Sequence, residues 1–75
     1  MKVLFFGPLA DLTGTTSITC SHLADTEQLL KKLSGDFPQL ANRTFAVAVN
    51  KKIQVEKLSL EENDIVALLP PFSGG

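Results

Sequence analysis

The sequence predicts an α+β fold, a small mixed sheet of four to five strands with one main helix packed across one face. Three observations carry this. Short runs of β-branched and aromatic residues recur between turn-forming residues, as strands do. One stretch, Leu29, Leu30 and Leu33 with Lys31 and Lys32 between, has the spacing of an amphipathic helix. The last run, Ile65–Leu69, is apolar throughout, as a central strand covered on both sides would be.

Residues 2–7 read as the first strand, stopped by Gly7-Pro8. Alternation sets Val3 and Phe5 on one side and Leu4 and Phe6 on the other. Asp11-Leu12-Thr13-Gly14 reads as a turn, and residues 16–20 as the second strand of a hairpin. Asp25 with Gln28 three residues on is a capping-box pattern that opens the helix, with Thr26 a competing N-cap. Gly35 and Pro38 mark its stop. A loop over 38–44 leads to a strand at 45–49. Asn50-Lys51-Lys52 then turns the chain into a short edge segment, Ile53-Gln54-Val55. Glu61-Glu62-Asn63-Asp64 reads as a solvated turn in which Asn63 can supply a left-handed residue.

At 75 residues the chain is read as one domain, 1–75, in which 70–75 form a projecting tail. Hydrophobic residues make up 44% and charged residues 20% of it, which argues for a packed core and against disorder. The formal net charge is −1 and the lysines are scattered, so a nucleic-acid partner is not expected. No apolar run reaches spanning length, and Asp11 ends the N-terminal one short of a signal-peptide core, so neither membrane nor export is expected. One cysteine cannot form an internal disulfide, and a lone thiol without an export signal suits a cytoplasmic location. Cys20 reads as a small buried hydrophobe at a strand end and His22 as a loop residue; one Cys and one His build no metal site. No glycine-rich phosphate loop is present, so no cofactor is expected on this chain.

The tail holds the chemistry. Pro70-Pro71 cannot donate to a sheet ladder and favours a stiff, extended backbone. From Pro70 to Gly75, six extended residues reach roughly 20 Å. Gly74 and Gly75 carry no Cβ and fit a channel too narrow for side chains. A terminal carboxylate is a poor electrophile until adenylation gives it a leaving group. A sulfur donor can then replace the adenylate to leave a thiocarboxylate, whose anionic sulfur is nucleophilic at neutral pH by the logic that makes thiolates reactive.

Lys2–Phe6, Val47-Ala48-Val49-Asn50 and Asp64–Gly75 with its Pro-Pro-x-Ser-Gly-Gly ending resemble the MoaD family, the small subunits of molybdopterin synthase. The resemblance implies the ubiquitin-like β-grasp fold and a sulfur carrier that is not catalytic alone. It further implies an E1-like adenylyltransferase as one partner, which would use the ATP, and the molybdopterin synthase large subunit as another, in a heterotetramer. Sulfur would pass to cyclic pyranopterin monophosphate in the large subunit. By the same resemblance Gly75 is the sulfur-bearing end and Gly74 the slender residue behind it. Phe72 and Ser73 line the partner's channel after Pro70 and Pro71, and Phe6, Ile53 and Leu69 form an apolar docking patch. A sulfur carrier for thiamin or another sulfur pathway, a ubiquitin-like protein modifier and a plain interaction module remain the alternatives. The family often has Gly-Asp where this chain has Asn63-Asp64.

Overall fold

In the computed structural model, which describes residues 1–71, five strands form one mixed sheet in the order β2-β1-β5-β3-β4. The strands are β1 (Lys2–Phe5), β2 (Ser17–Thr19), β3 (Ala46–Val49), β4 (Lys52–Gln54) and β5 (Ile65–Leu69). β5 lies at the centre, parallel to β1 and antiparallel to β3. The expected α+β layout is therefore present, with α2 (Thr26–Asp36) as the main helix on one face.

That helix starts where the capping pattern places it. The Asp25 side chain accepts a hydrogen bond from the Gln28 N–H at 2.9 Å. Gln28 Oε1 in turn accepts from the Ala24 N–H at 3.3 Å, so two backbone donors at the helix start are satisfied. Thr26 is not the cap. It is buried, and its hydroxyl accepts from the Leu58 N–H, tying the helix start to the segment that precedes β5. Gly35 lies inside α2, whose C-cap is Phe37, so it is not the stop.

Leu29 and Leu33 enter the core with Val3 and Phe5 of β1 and Val66 and Leu68 of β5, all at most 2% exposed. Leu40 joins them from a 3₁₀ turn, Pro38–Asn42, where the sequence reading had a plain loop. Phe5 and Phe37 meet edge to face with ring centroids 5.7 Å apart.

Two further readings are corrected. Residues 11–14 are not a simple turn: α1 spans Pro8–Thr13, with Pro8 in its first turn and left-handed Gly14 (φ 76°) as its C-cap. Its Leu9 fills the core beside β1, which is why so short a helix persists. The left-handed backbone is not at Asn63 but at Asn50 (φ 50°) and Lys51 (φ 73°). Those two residues form the tight connection between paired Val49 and Lys52, the pattern of a type I′ hairpin turn. The 61–64 turn needs no positive φ, because Asp64 closes it by accepting from the Glu61 N–H at 2.7 Å.

Candidate functional site

The side chains of β1, β3 and β5 alternate, and the set not used by the core faces away from α2. Strand register arranges this second set in cross-strand rows. Leu4 pairs with Ala67, Ala67 with Ala48, and Ala48 with Ile53, giving one apolar row across four strands. Leu69 pairs with Ala46 and stands beside Phe6, whose N–H donates to the Leu68 carbonyl. At the opposite end Lys2 pairs with Ile65, and the Asn50 N–H donates to the Ile65 carbonyl.

The face is concave, with a hollow of about 510 Å³ lined by Leu4, Phe6, Ala48, Ile53, Ile65, Ala67 and Leu69, with Asn50 and Lys51 at one end. The two alanines keep the floor low, while Phe6 (45% exposed), Ile53 (48%) and Ile65 (46%) rise around it. No described segment crosses it. Contiguous apolar faces left open on a small domain are a common signature of interaction surfaces.

Asp64 and Asn50 hold the far end in shape. The Asn50 side chain donates to Asp64 at 2.8 Å and accepts from the Ile65 N–H at 3.1 Å. The Glu61 backbone N–H and then the Asn50 side chain, both donating to the Asp64 carboxylate, hold its pKa below the usual value of 3.8. Of the acidic run 61–64, Asp64 thus serves the structure of the turn.

At the near end the chain leaves the face. Pro70 rests on Gly7, whose backbone (φ 57°, ψ −135°) is open to glycine and poorly open to other residues. A Cβ on Gly7 would stand 3.4 Å from Pro70 Cγ. Pro71, exposed, comes next.

The structure thus brings together Phe6, Ile53 and Leu69 on one open face that runs into Pro70 and Pro71. Phe72, Ser73, Gly74 and Gly75, which the sequence reading made the chemical end, lie outside the described residues. Ala48, Ala67, Ile65 and Lys51 belong to the face and were not singled out from sequence. The alternation of Ile65, Ala67 and Leu69 against core Val66 and Leu68 is the signal that could have found the β5 members.

Cys20 and His22 stand apart from the face. Cys20 is partly buried against the core. The His22 ring donates from Nε2 to the Leu60 carbonyl at 2.7 Å. Among the described residues, no three His, Cys, Asp or Glu side chains gather as a metal site would need, and no helix is long and apolar enough to cross a membrane.

The family model of the ThiS family matches residues 3–75. The chain belongs to the ThiS family. Three curated relatives are named as molybdopterin synthase sulfur carrier subunits, in agreement with the resemblance to MoaD proteins. One from Chlamydomonas reinhardtii is 32% identical, with 100% of this chain and 98% of the relative covered. Another, from Arabidopsis thaliana, is 29% identical, with 100% and 82% covered. Among solved structures, small archaeal modifier protein 1 from Methanosarcina acetivorans superposes with a TM-score of 0.81 at 23% identity, covering 99% of this chain and 94% of that one. At that identity the likeness is one of fold, the ubiquitin-like β-grasp, and this ThiS-family chain shares it.

Proposed function

We propose that this chain is the sulfur-carrier small subunit of a molybdopterin synthase. The observation that carries the reading is the open apolar face of the sheet, continuous through Leu69 with the Pro70-Pro71 exit. The names of the curated relatives favour molybdopterin synthesis over thiamin or another sulfur pathway.

In this reading the face docks on a partner and the tail enters the partner's active site. Covering Phe6, Ile53 and Ile65, each about half exposed, contributes roughly 1 kcal/mol apiece. Association costs several kcal/mol, so the patch alone holds a partner weakly. Contacts along the tail add the rest, and docking converts an encounter in solution into a positioned reaction.

The Gly75 carboxylate attacks the α-phosphate of ATP held by an E1-like adenylyltransferase, and pyrophosphate leaves. A sulfur donor then displaces AMP to give the thiocarboxylate. In the large subunit, as part of a heterotetramer, that sulfur passes to cyclic pyranopterin monophosphate. This chain supplies the reach and the sulfur-bearing end, and both active sites belong to its partners.

Intact-mass measurement after incubation with ATP, a sulfur source and the adenylating enzyme of the same genome tests this. An oxygen-to-sulfur exchange on this chain, followed by return to the original mass when the large subunit and its pterin substrate are added, is expected. A ladder of conjugates to lysines of other proteins would instead make the chain a modifier. No mass change with an adenylating enzyme that is active on its own carrier would end the proposal.

A further inference from the structure

One feature of the face has no explanation within the free chain. Lys51 occupies the second position of the hairpin turn at φ 73°, where glycine is the favoured residue after asparagine. A side chain is strained in that backbone. Among the described residues Lys51 makes no ion pair and no side-chain hydrogen bond that would offset this. The nearby acid of the turn network, Asp64, already has its oxygens engaged by Asn50 and the Glu61 N–H. Yet Lys51 lines the apolar hollow, at the end farthest from the tail. Lys2, exposed and also without an ion pair among the described residues, lies on the same row beside Ile65. Among the described residues, two lysines without an ion pair thus lie at one end of the open face, beside an Asp64 whose backbone carbonyl accepts from the Lys2 N–H and whose carboxylate is held by the turn.

We propose that Lys51 and Lys2 form a carboxylate-reading edge of the docking face, paired with Asp or Glu side chains that border the apolar patch of the partner. The inference rests on the proposed docking of this face on the large subunit. Apolar contact is non-directional and allows the domain to sit in more than one orientation. Opposite charges at the tail-distal end select one of them and speed the encounter. That orientation puts the tail root, and not the turn, over the partner's channel. The strain at Lys51 is then offset in the complex.

The test uses the full chain with the large subunit of the same genome, comparing wild type, Lys51→Gly, Lys51→Arg and Phe6→Asp. Lys51→Gly should unfold at a higher temperature than wild type yet bind roughly threefold to fivefold more weakly, as expected for one rim charge pair. The loss should fall mainly on the association rate, and its salt dependence should flatten. Lys51→Arg should keep wild-type affinity and salt dependence. If Lys51→Gly is more stable and binds as wild type does, with Phe6→Asp still defective, Lys51 is a turn residue only and this inference alone fails. Wild-type binding by Phe6→Asp would overturn the docking reading as well. A stable dimer of this chain, seen by sedimentation and not dissolved by the large subunit, would give the face to a second copy and overturn the pairing.

Discussion

At the scale of single residues, the structure separates side chains that neighbour one another in sequence. Phe5 is 2% exposed and Phe6 45%, although the two are chemically identical. Strand alternation alone decides which packs under α2 and which faces out, so this was legible in the sequence. Ile53 was legible only through family resemblance, because a three-residue strand has too few positions to show a period. Ala48 and Ala67 carry no chemical signature, and only the strand register reveals them as the floor of the hollow. Asp64 was read as part of a solvated acidic run, yet it closes one turn and clamps another. Its folded pKa is depressed, so the stability it contributes is present above the unfolded value near 3.8 and is lost as pH falls through the lower folded value. Asp64→Asn should therefore be less stable than wild type at neutral pH, with the difference shrinking below about pH 4. Denaturant midpoints measured between pH 2 and pH 7 check this, and a constant difference across that range would refute it.

At the scale of elements, the two helices differ in how well sequence announces them. α2 runs for three turns, so its cap, leucine stripe and lysines all agree. α1 has six residues, too few for a period, and Gly7-Pro8 reads as a strand stop before it reads as a helix start. Proline in the first turn and Gly14 at the C-cap were the available signals. The missed helix matters because its N-cap, Gly7, lies against Pro70 where the chain leaves the sheet. Gly7→Ala forces a Cβ into a backbone that disfavours it, while the added atom itself makes only ordinary contact with Pro70. A loss of about 1–3 kcal/mol is expected from the backbone alone. Sulfur transfer, measured at a temperature where the variant is fully folded, should fall as well, because relaxing the strained backbone at residue 7 shifts the surface on which Pro70 rests. Unchanged transfer by a folded Gly7→Ala protein would mean that the seat does not aim the tail.

At the scale of the whole molecule, stability and chemistry are assigned to different parts of the chain. Val3, Phe5, Leu29, Leu33, Leu40, Val66 and Leu68 are among the side chains closed off from solvent, and the last of these precedes the Pro70-Pro71 exit. The proposed reaction, by contrast, needs a free carboxylate on Gly75. Adding one residue after Gly75 converts that carboxylate into an amide, which has no oxyanion to attack ATP, and moves the new end out of register with a fixed catalytic channel. Removing Gly75 leaves a carboxylate but shortens the arm by roughly 3.5 Å, a displacement well beyond what positioned catalysis tolerates. Both variants should keep the wild-type denaturant midpoint while losing sulfur transfer by at least about a hundredfold. Chemical denaturation and the intact-mass assay measure the two properties separately. Loss of stability on removing Gly75 would show that the tail is part of the fold, and efficient sulfur loading of the extended chain would show that the chemistry lies elsewhere.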